Sequence, residues 1–225
     1  MNLNNFGVII QARMGSRRLP GKVLKKLDQK TILDYIFYFI NKDLPELKKK
    51  TVVATSKLKR DLKIISWCKK NKIKYFLGDE KNVLKRYYDC SNYYQFKNII
   101  RLTADNPFPD FKNLKKLIFL QKKNKFDYIS NQKILPKGMG FEIISLKALK
   151  KSLLESNKIN HFEHVNEYIL ENKKKFNIKI IKRKMTFKKL NFSIDTKKDF
   201  NYCRKILSKI KKPITIQKII KNACI

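Results

Sequence analysis

The feature that most constrains the fold is a repeat of short apolar runs, each followed by a stretch with helical periodicity. "FGVII" (6–10), "TVVAT" (51–55), "IKYFLG" (73–78), "NIIRLT" (98–103) and "FDYIS" (126–130) are five or six residues long. "TILDYIFYFINK" (31–42), "RDLKIISWCKKN" (60–71), "NVLKRYYDCSNYY" (82–94) and "LKKLIFLQKK" (114–123) lie between them, with apolar residues recurring on one side of a helix. Continuous apolar runs of this length suit strands buried on both faces. Their alternation with helices, in steps of about 20–25 residues, predicts an α/β domain with a parallel sheet covered on both sides.

The rhythm changes after residue 130. "NQKILPKGMGFEIISLKAL" (131–149) reads as a Pro- and Gly-broken loop, then a strand and a helix. "HFEHVNEYILEN" (161–172) reads as a helix, "FNIKIIKRKM" (176–185) as an edge strand, "LNFSI" (190–194) as a strand returning to the sheet, and "KKDFNYCRKILSKI" (197–210) as a helix. With 225 residues and 43% hydrophobic content, the chain is read as one domain, 1–225, whose second half, 131–225, forms a smaller subdomain beside 1–130.

A formal charge of +36 invites a nucleic-acid partner. Composition argues for background instead. Of 54 basic residues only eight are Arg, and the lysines run along the whole chain ("LKKKT", "KKNKIK", "ENKKKF") in a sequence rich in Lys, Asn and Ile. A basic nucleic-acid-binding protein remains as an alternative. It would bind with steep salt dependence and no preference among nucleotides. The aromatic cluster "RYYDCSNYYQF" is more simply the packed face of a helix than a base-stacking platform. No apolar run is long enough to cross a membrane, "MNLNNFGVII" has no charged leader region, and Cys68, Cys90, Cys203 and Cys224 lack zinc-site spacing. A reduced cytoplasmic protein without structural zinc is expected.

Against that lysine background, arginine is informative, because its planar fork pairs bidentately with phosphate and carboxylate. The eight are Arg13, Arg17, Arg18, Arg60, Arg86, Arg101, Arg183 and Arg204. Three fall in the loop after the first strand, together with Lys22, Gly15, Ser16 and Gly21. The glycines would let backbone approach a ligand and the cations would hold phosphates. The loop is neither a Walker A loop nor GxGxxG.

Two aspartates also follow strand ends. Asp105 in "RLTADNPFPD" (101–110) is a candidate ligand for a divalent cation, with helix capping as the other reading; Asp110 is a candidate cap. Asp195 in "FSIDTKKDF" (192–200) is open between cap and ligand, with Thr196 as a candidate N-cap and Asp199 in the first turn. Two strand-terminal aspartates and an anion loop are what Mg²⁺-dependent nucleotidyl transfer requires. His161 and His164, with Glu163 between them, fall short of HExxH. They read as surface or substrate-contacting residues rather than metal ligands.

The residues also carry a family resemblance. "IIQARMGSRRLPGKVL" resembles the signature loop of the cytidylyltransferases that activate 3-deoxy-manno-octulosonate and acylneuraminate, roughly I-P-A-R-x-x-S-x-R-x-P-x-K. It is nearest the branch of spore coat polysaccharide biosynthesis protein F, where Gln stands at the place of Gln11. The resemblance continues through "VVATS" (52–56), "GDEKNVLKRYYDC" (78–90), "IIRLTADNPFPD" (99–110), "GFEIISLKAL" (140–149), "EHV" (163–165) and "FSIDTKKDF". It implies a Rossmann-like nucleotidyltransferase, of the nucleotide-diphospho-sugar transferase kind. That is a three-layer sandwich with a mostly parallel sheet and a small β-containing subdomain.

By resemblance, Arg13, Gly15, Ser16, Arg18 and Lys22 would hold the CTP triphosphate, with Ala12 beside the base, and Arg86 and Thr103 would contact the nucleotide. Asp105 and Asp195 would ligate Mg²⁺, and Glu142 and His164 would face the sugar. Arg13, Lys22, Asp105 and Asp195 would form the catalytic set. Residues 1–130 would be the nucleotide-binding half and 131–225 the sugar-binding and dimerisation half of a homodimer. Its partners would be CTP and a small acidic sugar, with no specific nucleic acid and no membrane. The sequence departs from the family at Ala104 (usually Gly), Asn106 (usually Cys) and Lys197 (often Pro). The implied reaction is in-line attack of a sugar hydroxyl, anomeric for a nonulosonate, on the α-phosphorus of CTP. Mg²⁺ would polarise the phosphate, and Lys22 and the arginines would neutralise the leaving pyrophosphate. A glycosyltransferase using a nucleotide-sugar donor is the alternative enzyme; it would release a nucleoside diphosphate, and the absence of a compact DxD triplet counts against it.

Overall fold

In a computed structural model, residues 3–182 and 190–224 are described. Seven strands form one sheet: β1 (Phe6–Gln11), β2 (Thr51–Ser56), β3 (Lys74–Gly78), β4 (Asn98–Thr103), β5 (Tyr128–Ser130), β6 (Glu142–Ser145) and β7 (Ile178–Ile180), in the order β3-β2-β1-β4-β6-β5-β7. β6 runs antiparallel to both β4 and β5, and every other pairing is parallel. Strands from both halves of the chain therefore share one sheet.

The pleat sorts side chains between two cores. Val8 and Ile10 of β1 face a layer made by α1 (Ile32–Asp43), α2 (Leu62–Lys70), α4 (Phe111–Asn124), α8 (Lys197–Ser208) and α9 (Ile216–Ala223). Ile9 faces the opposite layer, made by α3 (Val83–Tyr93), α5 (Leu146–Glu155) and α7 (Glu167–Glu171). The same alternation divides Ile100 and Leu102 of β4 from Ile99. Both faces are thus covered, as the continuous apolar runs require.

Helix starts follow local chemistry. Thr31 with Asp34 and Thr196 with Asp199 form reciprocal capping boxes at α1 and α8, while Asn82, Asp110, Ser145 and Thr215 cap α3, α4, α5 and α9. Asp110 and Thr196 are therefore caps, as read from the sequence.

Three expectations are corrected. The helix expected over 161–172 is split into α6 (Ile159–Glu163) and α7 by a break at His164, whose backbone is extended (φ −112°, ψ 98°). "LNFSI" does not join the sheet. It carries one isolated bridge, Asn191 with Lys137, and runs beside residues 105 and 137 through bonds from Ile194 N–H to the Asp105 carbonyl and from Phe192 N–H to the Lys137 carbonyl. The fifth strand is shorter than expected, 128–130. Residues 183–185 of the expected edge strand, and Arg183, lie outside the described residues. Among the described residues no helix is long and apolar enough to cross a membrane.

Phe108 ties α1 to the extended 190–194 segment within the first of these cores. It is fully buried and its ring packs edge-on against Tyr35 and Phe39 of α1 and Phe192 of the extended segment. Phe108→Ala is expected to lower the unfolding free energy by about 3–5 kcal/mol, read from urea denaturation.

Candidate active site

In a sheet of order 3-2-1-4 the connections diverge between β1 and β4, and the carboxyl ends of those strands open a crevice. A cleft of about 1100 Å³ lies there, lined by the loop after β1, the ends of β4 and of the 190–194 segment, the turn before α3, and α6 with His164. Six of the chain's eight arginines line it: Arg13, Arg17, Arg18, Arg60, Arg86 and Arg101. Lys22 and Lys81 are the only lysines that do, among the described residues. The facing carboxylates are Glu80, Asp105, Glu163 and Asp195. Cations outnumber them two to one, so the cleft favours a polyanion.

The loop after β1 is held by backbone bonds and one buried carboxylate. The Met14 carbonyl accepts from Ser16 and Gly21 N–H at 3.0 and 2.9 Å, and Gly21 turns the chain at φ +68°, a region that favours glycine. Asp61, fully buried at the entrance to α2, accepts the Met14 N–H at 2.7 Å and the Ser56 hydroxyl. Gly15 does not serve ligand approach alone: a Cβ there would stand 3.0 Å from the Arg60 guanidinium, which pairs with Glu80. Asp61 and Arg60 escaped the sequence reading. Arg60 carried the rarity signal of arginine, whereas Asp61 carried none, because an aspartate before a helix reads as a cap.

Two arginines sit on the floor of the cleft. Arg86 is 2% exposed and donates to the Asp79 carbonyl at 2.6 Å, but its Nε has no partner and it makes no ion pair among the described residues. Burial pulls its pKa down from the usual arginine value. Asp61 and Asp79 act on it only from beyond ion-pair distance, and a buried guanidinium without a contact carboxylate is costly unless an anion joins it. Arg101 differs. Burial also opposes its charge, but the Glu142 carboxylate beside it outweighs that and the pKa is raised. Register sets this pair, since Arg101 of β4 lies directly opposite Glu142 of β6.

The sequence-predicted residues are brought together with one exception. Ala12, Arg13, Gly15, Ser16, Arg18, Lys22, Arg86, Thr103, Asp105, His164 and Asp195 all line the cleft. Glu142 does not. It is fully buried and accepts from Arg101, the Tyr128 hydroxyl and Asn166, so it borders the cleft through Arg101 and does not line it. Thr103 turns its hydroxyl to Asp105 and accepts from Asn106 at 2.9 Å, which orients the carboxylate. Arg13 pairs loosely with Glu163 at 3.9 Å, both half exposed, a contact of little energetic weight.

Lys22 is only 8% exposed, and its ammonium donates to Asp105 Oδ2 at 3.3 Å, Asp195 Oδ1 at 3.1 Å and the Ile194 carbonyl at 2.6 Å. All three donors are thus spent on protein oxygens. The phosphate contact expected of Lys22 requires one of these bonds to break. Asp195 also pairs with Arg18 at 3.3 Å.

The two carboxylates are about a quarter open to the cleft, with side chains 27% and 28% exposed, and they converge on one point beside the anion loop. Hard carboxylate oxygens in this number suit Mg²⁺, which is commonly held by one or two carboxylates plus substrate phosphates. Among the described residues no group of three or more His, Cys, Asp or Glu forms a metal cluster.

Asp61→Ala is expected to raise the KM for the nucleotide by about tenfold or more through loss of the Met14 anchor. Glu142→Gln, which leaves Arg101 buried and uncompensated, is expected to destabilise the fold by about 3–5 kcal/mol. Saturation kinetics and thermal melts check the two.

The sequence profile described as Cytidylyltransferase matches residues 7–220. The chain is 35% identical over 196 residues to an uncharacterized protein of Methanocaldococcus jannaschii, covering 85% of this chain and 79% of that protein. It is 31% identical over 218 residues to the spore coat polysaccharide biosynthesis protein SpsF of Bacillus subtilis, covering 92% and 88%. A solved cytidylyltransferase of Leptospira borgpetersenii superposes with a TM-score of 0.89 at 29% identity, covering 96% of this chain and 92% of that one. A CMP:2-keto-3-deoxy-manno-octonic acid synthetase in complex with CTP superposes with a TM-score of 0.69 at 14% identity, covering 92% and 99%, a likeness of fold.

Proposed function

The chain belongs to the cytidylyltransferase family, and from that premise we propose that it couples CTP to a small acidic sugar of the nonulosonate class, releasing pyrophosphate and a CMP-sugar. The product would serve surface polysaccharide or glycan assembly, as the name of the Bacillus subtilis relative suggests. The observation that carries the reading is the convergence of six arginines and an aspartate pair at the crevice between β1 and β4.

Each residue has a part that follows from its surroundings. Arg13, Arg17 and Arg18, exposed on the loop after β1, reach the triphosphate, and the turn at Gly15 and Ser16 brings backbone beside it. Ala12 lies beside the base. Arg86 meets the nucleotide from the floor and gains the counter-charge its burial demands. Thr103 fixes the rotamer of Asp105. His164, exposed on the wall formed by α6, contacts the sugar. Asp105 and Asp195 would hold Mg²⁺, which when bound supplies Lewis-acid polarisation of the α-phosphate. The sugar hydroxyl attacks phosphorus and gives up its proton to solvent, the bond to the β-phosphate oxygen breaks, and the guanidinium groups stabilise the charge that gathers on pyrophosphate.

Pyrophosphate release with each of the four nucleoside triphosphates, against a panel of acidic sugars and sugar phosphates, tests the proposal. CTP with an acidic sugar is expected to be the productive pair, and Asp105→Asn and Asp195→Asn are each expected to lower kcat by at least about a hundredfold. Absence of CTP-dependent release with every acidic sugar overturns it. A homodimer belongs to the same reading. Leu154 and Ile159, 74% and 83% exposed on α5 and α6, offer apolar surface for it. Sedimentation velocity is expected to give twice the 26.8 kDa chain mass, and charging both positions with Asp is expected to give the monomer.

A further inference from the structure

We infer that Lys22 is an internal place-holder cation, which keeps free divalent metal off the Asp105–Asp195 pair until a triphosphate arrives. The inference rests on the reading above only in taking that pair as the metal site.

Its basis is coordination. Two carboxylates this close repel each other unless a cation lies between them. Lys22 supplies one and is saturated: its three N–H donors end on Asp105 Oδ2, Asp195 Oδ1 and the Ile194 carbonyl. The side chain is 10% exposed, so no shell of water waits to take those hydrogens. Arg18 adds a second positive charge at Asp195 Oδ1, but it is 65% exposed and free to swing away. A metal ion entering alone must therefore evict a buried ammonium that has nowhere to place its donors. That is the expensive situation for a buried charge.

A triphosphate changes the balance. It brings acceptor oxygens to the loop that carries Lys22, so the ammonium can leave the carboxylates for phosphate as the metal takes its place. The exchange moves no covalent bond and keeps every charge paired throughout. It also reconciles a lysine fully engaged with protein oxygens and a loop built for an anion. Metal and nucleotide would then enter together, and the carboxylate pair would stay neutralised between turnovers. Lys22 is thus a positioning residue whose free-state partners decide the order of binding.

The test uses the full chain without nucleotide or sugar. Mn²⁺ is titrated into the wild type and into K22M, and free ion is followed by electron paramagnetic resonance. A neighbouring positive charge alters a carboxylate's affinity for a proton by about one to three powers of ten, and the same arithmetic applies to a competing cation. K22M is therefore expected to bind Mn²⁺ at least about tenfold more tightly than the wild type. The gain should vanish in K22M/D105N, which identifies the carboxylate pair as the site. K22Q, whose amide still donates to the same oxygens, replaces K22M if the latter does not fold, and the same gain is expected. Equal Mn²⁺ affinity in the wild type and the folded variant overturns the inference and leaves Lys22 a phosphate ligand alone. Because CTP and sugar are absent, a failed pyrophosphate assay leaves this result intact. A failed titration, in turn, leaves the transferase reading standing.

Discussion

The site depends on one ammonium group. Lys22 joins three pieces of chain that are remote in sequence: its own loop after β1, the end of β4 at Asp105, 83 residues away, and the extended segment at Ile194 and Asp195, more than 170 residues away. A backbone bond from Ile194 N–H to the Asp105 carbonyl runs alongside. Without the positive charge the two aspartates would repel and the 190–194 segment would lose its electrostatic reason to lie against β4. With it, the segment forgoes the sheet and still satisfies its backbone through residues 105 and 137. The segment outside the sheet and the aspartate pair thus meet at one ammonium.

This explains what was legible in the sequence and what was not. β1 and β2 were readable because each is buried on both faces along almost its whole length and so is predominantly apolar, a local signal that tertiary context does not alter; the edge strand β3, which has no fully buried residue, and β4, which carries Arg101, were readable as short apolar runs between turn signals. The cap at Thr196 was readable because it is local: side chain and backbone meet within three residues. "LNFSI" has the same apolar texture as a strand, yet its partners are a charged side chain and two loop carbonyls. No periodicity reports that. The break at His164 was likewise hidden, since the helical spacing continues across it while the backbone does not. The candidate site was legible where a residue type was unusual for the chain. It was not legible where a common residue does an uncommon job, as Asp61 does in anchoring Met14.

Glu142 illustrates how a site residue can be right in neighbourhood and different in role. The sequence puts it on a strand flanking the cleft. The sheet register then sets it opposite Arg101 on the same face, and burial obliges the two charges to pair. Tyr128 and Asn166 both donate to the other carboxylate oxygen, Oε1. The phenol's pKa is raised by burial and by that neighbouring carboxylate, so it stays protonated and keeps donating. The network fixes the guanidinium at the cleft floor with Glu142 and Tyr128 buried and Asn166 half-buried, which is how a rigid surface is made from flexible side chains.

The division of labour between lysine and arginine is the broadest consequence. A chain carrying 54 basic residues has a large uniform positive field, and a uniform field attracts anions without orienting them. Orientation needs groups that are few, planar and fixed. Among the described residues the cleft draws six of the eight arginines and only two lysines, and it buries Arg86 with an unspent donor. Salt should screen the lysines, which are mostly at the surface, far more than the cleft floor, because exposed charges lose their reach within about 8 Å at physiological ionic strength while buried ones do not. Weak, salt-sensitive adhesion to polyanions and salt-tolerant recognition of one nucleotide can therefore coexist in this chain. In the proposed reading the second belongs to the crevice between β1 and β4, and the first to the surface around it.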